Sequence, residues 1–223
     1  MPSFSDVRFT SVLAYPPKNA FPHPQFQLQR EKVLSIKDDR TLPDSSPPTP
    51  AVAYFAKAVC RHMQRYEVLR DCFEGALTAV PVPRSKLQQP HSLWPALRIC
   101  EELKAVGLVT DIAPFLRRTR AVLPSHHSSS ADKRVSPEQH YETMAVDLDV
   151  PHTKAPERLL LVDDIVTRGS TFLACHALLE EAFPFHPISA FAVARTVSGS
   201  PRPILQPVSG VCSCPDGVPF RNP

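Results

Sequence analysis

The chain has 223 residues, 43% of them hydrophobic and 21% charged, which suits one α/β unit with an appendage and a substantial buried core. A net charge of +3 is too small to argue for a nucleic-acid or membrane-surface partner, though it leaves room for a local basic site. No apolar run approaches the ~20 residues that span a bilayer, and the first residues lack the basic-then-apolar order of a signal peptide, so a cytoplasmic protein is expected.

Prolines outnumber glycines 26 to 6, and their excess in the first fifty residues and the tail marks those parts as extended and loop-rich. Six cysteines are scattered through the chain. Cys60, Cys100 and Cys175 are expected on apolar helix faces, where a free thiol behaves as a small hydrophobe, and this fits a reducing compartment. Cys212 and Cys214 have no second pair at matching spacing, so a tail turn is favoured over a metal half-site.

In chain order, residues 1–50 read as irregular, with Phe26, Leu28 and Val33-Leu34-Ser35-Ile36 hinting at short strands. Thr49 then reads as an N-cap with Pro50 at the first helical position. Val52, Phe55, Val59, Met63 and Tyr66 form the apolar face of that helix. Leu77 to Pro83 reads as a strand whose two prolines imply a strand end. Arg84, Ser85 and Lys86 follow at its carboxyl end, the edge of an open α/β sheet where ligands bind. Ser92 is expected to cap a helix with Leu93, Leu97, Cys100 and Leu103 inward, and Leu108 to Ala113 a short second strand.

Arg117, Arg118 and Arg120 precede a long polar stretch, 125–134, that includes His126 and His127. Loops of this length inside a compact domain are usually lids or disordered segments, and no carboxylate or Cys stands at metal-ligand spacing from the two histidines. Ser136-Pro137-Glu138-Gln139 reads as a capping box that restarts a helix.

The most informative stretch is 159–171, Leu-Leu-Leu-Val-Asp-Asp-Ile-Val-Thr-Arg-Gly-Ser-Thr. Four apolar residues suit a central parallel strand, and Asp163 and Asp164 end it. Thr167, Gly169, Ser170 and Thr171 then offer hydroxyls and backbone N–H groups at the start of a helix expected over Phe172–Phe183, where the helix dipole favours a phosphate. The two acids suit vicinal hydroxyls of a sugar. Neither a Walker sequence nor Gly-x-Gly-x-x-Gly is present, which disfavours an ATPase or a dinucleotide-binding domain. Ile188 to Ala194 reads as the last core strand, with Arg195 at its end, and 197–223 as a Pro-rich tail.

The run from Leu160 to Thr171 closely resembles the phosphoribosyl-pyrophosphate (PRPP) motif of type I phosphoribosyltransferases, both acids and the Thr-x-Gly-x-Thr turn included. The Val-Pro-Val-Pro strand and the Arg-rich segment before Arg134 are similar to the ComF-like group. The likeness covers roughly residues 30 to 195. Two features of that group are missing: its N-terminal four-cysteine zinc knuckle, and its Arg-Gly-Phe-Asn-Gln stretch, where Gln88-Gln89-Pro90-His91-Ser92-Leu93 stands instead.

The resemblance implies a doubly wound, mainly parallel sheet of about five strands. It implies a small hood from residues 1–50, a core over 51–196 and a tail over 197–223. It also implies transfer of the 5-phosphoribosyl group from PRPP to a nitrogen nucleophile, a nucleobase above all, with release of pyrophosphate. Asp163, Asp164, Ile165, Val166, Thr167, Arg168, Gly169, Ser170 and Thr171 would bind PRPP, and Arg84, Ser85 and Lys86 would grip pyrophosphate. Lys133 and Arg134 would close from a lid as catalytic cations beside Asp163 and Asp164. Mg²⁺ would arrive with PRPP and meet the two acids only indirectly. Homodimers are common in the family. The alternatives are a PRPP-binding regulator without catalysis and an interaction protein in DNA processing.

Overall fold

A computed structural model describes residues 2–16, 24–42, 46–122, 135–150, 156–198 and 203–223. The chain begins with β1 (Val7–Tyr15), α1 (Pro24–Lys37), α2 (Ala51–His62), α3 (Glu67–Cys72), β2 (Leu77–Pro81) and α4 (Pro95–Ala105). It continues through β3 (Asp111–Ile112), β4 (Leu116–Arg118), α5 (Pro137–Tyr141) and β5 (Met144–Val146). Next come β6 (Arg158–Val166), α6 (Ser170–Ala182), β7 (Ile188–Thr196), β8 (Leu205–Ser213) and β9 (Phe220–Asn222).

Seven strands form the central sheet in the order β3-β2-β6-β7-β1-β8-β9. The first five run parallel, and β8 and β9 close one edge antiparallel. β4 and β5 make a separate two-stranded ribbon. Parallel strands need cover on both faces, and β6 shows how the sequence provides for it. Leu160 and Val162 join one core cluster with Val33, Val52, Phe55, Leu69, Ile99 and Leu103 from α1 to α4. Leu159 and Leu161 face the other way, into a cluster with Phe172, Leu173 and Leu179 of α6 and with Phe115, Leu116 and Met144 around the ribbon. Leu159, Leu160 and Leu161 are all fully buried, each contributing about 1.5–3 kcal/mol of hydrophobic stabilisation. On the α1–α4 side Phe191 lies between Phe73 and Phe55, with ring centroids 5.1 and 6.4 Å away.

The crossover through α4 carries the chain from β2 outward to β3, whereas α6 carries it from β6 the opposite way to β7. β2 and β6 are neighbours, so their carboxyl ends flank the point where the winding reverses. Ligands of open α/β sheets bind in the crevice outside such a point.

The expectation for residues 1–50 needs correction. Instead of an irregular hood they supply β1, inserted between β7 and β8, and the 14-residue helix α1. Thr10 and Ser11 are buried in mid-strand and break the apolar alternation that would have marked β1. Val33 to Ile36 is helical, not extended: Phe26, Gln29, Val33 and Ile36 are buried at a helical period that a four-residue window does not show. The tail also contributes to the sheet, as β8 and β9.

Smaller corrections concern caps and faces. Pro50, not Thr49, is the N-cap of α2, and Trp94, not Ser92, that of α4. Ser92 instead ties a turn together, its hydroxyl donating to the Gln89 carbonyl at 2.8 Å. Leu93 is exposed, and α4 buries Ala96, Ile99, Cys100 and Leu103. Cys60 is exposed, whereas Cys100 and Cys175 are buried. The Ser136 capping box is present with both of its hydrogen bonds. Among the described residues no helix is long and apolar enough to cross a membrane.

Candidate functional site

The β2–β6 register sets Pro81 beside Val162, and the Val82 N–H donates to the Val162 carbonyl at 2.9 Å. The loop that follows β2 therefore leaves the sheet alongside Asp163 and Asp164, which do not end β6 as expected, since the strand continues through Ile165 to Val166. Arg84, Ser85 and Lys86 lie in that loop, so the topology brings the basic tripeptide and the acids to one edge. The Arg84 guanidinium donates to the Leu93 carbonyl at 2.7 Å, and Lys86 is exposed.

Successive strand residues point to opposite faces, and the acids obey this. Asp163 follows the parity of Leu159 and Leu161 toward the α6 side. Asp164 turns to the α1 side, where Lys37 Nζ is 2.7 Å from its Oδ2. Burial, then the adjacent Asp164 carboxylate, push the Asp163 carboxyl well above the usual carboxylate range, against the pull of the Asp164 N–H and of Lys37. Burial opposes the charge on Lys37, but the Asp164 and Asp163 carboxylates outweigh it and raise its pKa. The pair thus forms a cation-stabilised acid site, with Asp164 the better-compensated anion.

Lys37 is placed by the way α1 ends. Asp39 adopts φ 50°, the Arg40 N–H donates to the Ser35 carbonyl at 2.9 Å, and the Asp39 N–H to the Ile36 carbonyl at 3.2 Å. These are the two bonds of a Schellman motif, with Asp in the position glycine usually takes. Arg98 on α4 secures the turn, its Nε 3.0 Å from Asp39 Oδ2.

Beyond the acids, Thr167 and Arg168 lead to Gly169, the N-cap of α6, at φ 89°. Here glycine is required twice over. The backbone is left-handed, and a Cβ would run into Cys212 Sγ and stand 2.6 Å from the Cys212 Cβ. The N–H groups of the first turn of α6 lack intrahelical acceptors, and the dipole adds partial positive charge. Together with the Thr167, Ser170 and Thr171 hydroxyls they make a turn chemically suited to an anion.

Two further residues face this turn from the ribbon side. His140 on α5 places Nε2 3.4 Å from Thr171 Oγ1, and Arg118 on β4 reaches His140 Nδ1 at 3.4 Å. Arg118 Nε also donates to the Arg84 carbonyl at 3.0 Å. Burial and then Arg118 depress the His140 pKa to about 3, and burial lowers that of Arg118.

Sequence reasoning passed over Lys37 and His140 and placed Arg118 only in an Arg-rich segment. The helical period of 26–36 carries the signal for Lys37, since it sets that residue in the last turn of a helix. No local pattern marks His140. Lys133, Arg134, His126 and His127 lie outside the described residues. Among the described residues no group of three or more His, Cys, Asp or Glu side chains could by itself hold a metal ion. No protein-family model matches the chain, and no curated protein matches it either.

Proposed function

We propose that the crevice between β2 and β6 binds PRPP and transfers its 5-phosphoribosyl group to a nitrogen nucleophile, a nucleobase being the class the resemblance favours. The observation that carries the reading is the juxtaposition at one sheet edge of an Asp pair, a glycine-capped hydroxyl-rich turn and a basic loop, on a strand whose sequence matches the PRPP motif. In this reading Asp163 and Asp164 accept hydrogen bonds from the ribose hydroxyls, Thr167 to Thr171 hold the 5′-phosphate, and Arg84 to Lys86 face the pyrophosphate. The C1–oxygen bond breaks, pyrophosphate leaves with the electron pair, and the nitrogen lone pair forms the new bond to C1 as its N–H proton is lost. Positive charge grows on the ring and negative charge on the leaving group, so acids beside the ring and cations beside the pyrophosphate stabilise the separation.

Asp163 and Asp164 point to opposite faces and do not form a cage, which suits a Mg²⁺ ion carried mainly by substrate oxygens rather than a resident metal. Bound in that way, Mg²⁺ would help neutralise the departing pyrophosphate.

Exchange of labelled pyrophosphate into PRPP, with candidate bases present, tests the reaction. Exchange that disappears in Asp163→Asn/Asp164→Asn supports it; exchange unchanged in that folded variant sinks it. Two observations favour a second reading, a PRPP-binding regulator without catalysis: Lys37 already engages Asp164, and Arg84 is turned to a loop carbonyl. Such a regulator binds PRPP and gives no exchange with any base.

A further inference from the structure

Behind the turn after β6 lies a buried polar chain with a fixed count of protons. Arg118 is 7% exposed, and among the described residues no carboxylate lies within 4.0 Å ion-pair distance of it. Its Nε donates to the Arg84 carbonyl at 3.0 Å and its Nη1 to Thr143 Oγ1 at 2.8 Å and to the His140 carbonyl at 3.5 Å. Its Nη2 lies 3.4 Å from His140 Nδ1. His140 is 4% exposed, and its other ring nitrogen, Nε2, stands 3.4 Å from Thr171 Oγ1.

A guanidinium has donors only, so the His140 Nδ1 that faces it must accept. A neutral imidazole carries one N–H, which therefore sits on Nε2 and donates to the Thr171 oxygen. With its oxygen engaged from behind, Thr171 directs its own O–H elsewhere, and that residue lies in the first turn of α6. We infer that Arg118 and His140 are positioning residues that fix the Thr171 hydroxyl as a donor to a phosphate oxygen at the start of α6. The inference rests on reading this turn as the phosphate site. The Asp163 carboxyl offsets the burial of this guanidinium only in part and from beyond ion-pair distance, so a further anion nearby is favoured, because a charge away from water is costly unless compensated. Through the Arg84 carbonyl the same cation also holds the basic loop, so both proposed phosphate-binding segments hang from Arg118.

Calorimetric titration with ribose 5-phosphate, and with PRPP plus Mg²⁺, tests the inference on four proteins: wild type, Thr171→Val, His140→Phe and the double variant. Losing a hydrogen bond to a charged group should weaken binding about tenfold in Thr171→Val. His140→Phe should show a loss of up to the same size, and the double variant should bind no more weakly than Thr171→Val alone. Losses that multiply in the double variant, or no loss in His140→Phe, overturn the inference. Imidazole nitrogen NMR of the wild-type protein gives a test that does not depend on variants folding. His140 protonated at Nε2 with Nδ1 bare supports the inference, whereas a proton on Nδ1 overturns it. If wild type binds neither ligand, the phosphate-site reading fails and takes the inference with it. Binding by wild type with multiplying losses fails the inference alone.

Discussion

Replacing Gly169 by alanine tests the geometry of the turn without any assumption about ligands. Two costs are separable. A non-glycine residue in the left-handed region costs about 1–2 kcal/mol. Gly107→Ala should cost only that, since Gly107 has φ 77° and a Cβ there would meet nothing within 4 Å. At Gly169 the new Cβ also meets the buried Cys212 side chain, whose Cβ would be 2.6 Å away. Overpacking of this kind adds about 1–3 kcal/mol, for a total of about 2–5 kcal/mol. For a chain of this size each kcal/mol lowers Tm by about 2–4 °C. Thermal unfolding followed by circular dichroism should therefore show a fall of about 2–8 °C for Gly107→Ala and clearly more for Gly169→Ala, of the order of 4–20 °C. Cys212→Gly removes both opposing atoms, so in that background Gly169→Ala should cost no more than Gly107→Ala. Equal losses for the two alanines, or a Gly169→Ala loss undiminished by Cys212→Gly, would refute the packing argument.

His140 remains neutral in the folded protein down to about pH 3, whereas in the unfolded chain it takes up a proton near pH 6.5. The unfolded state thus binds more protons in that window, and stability should fall as pH drops through it, by up to about 1.4 kcal/mol per pH unit. Denaturant titrations should show this component missing in His140→Gln; an unchanged slope would mean that the imidazole is not held neutral. Asp163 has the opposite sense: its raised pKa makes the ionised form costly in the fold, so Asp163→Asn should raise Tm at pH 8, and the gain should vanish at pH 3. A lower Tm at pH 8 would contradict the burial argument. Lys37→Met leaves Asp164, with 15% of its side chain exposed, without its cation and should cost about 1–3 kcal/mol; Lys37→Met/Asp164→Asn should recover part of this. Phe191→Ala, which empties the space between Phe55 and Phe73, should cost about 3–5 kcal/mol in chemical denaturation.

The parts of the fold legible in the sequence are those in which a local pattern and the tertiary environment agree. Leu159 to Val162 of β6 is an unbroken apolar run because both faces of the strand are covered there, and α6 follows the turn as expected, though it begins at Ser170, directly after its left-handed cap Gly169, and not at Phe172. Ser136 and Gln139 satisfy each other locally, so the start of α5 could be read from four residues. β1 was not legible, because its place between β7 and β8 is set by pairing with residues almost two hundred positions away, while Thr10 and Ser11 interrupt its pattern. β8 was hidden by the Pro- and Ser-rich composition of the tail.

The site divides in the same way. Asp163, Asp164 and the turn to Thr171 lie on one continuous stretch and carry their own signal. Lys37, Arg118 and His140 come to it from three other elements, and each is an ordinary residue until the sheet order brings it there. Their partnership is a property of topology: α1 lies on one side of the sheet, the ribbon and α5 on the other.

The most direct measurement is calorimetric titration of the purified protein with PRPP and Mg²⁺, alongside the Asp163→Asn/Asp164→Asn variant, with circular dichroism to show that both are folded. The account predicts micromolar binding by the wild type and none by the variant. A folded wild-type protein that binds no PRPP, or a variant that binds it equally well, would contradict the assignment of the β2–β6 crevice as a phosphoribosyl site.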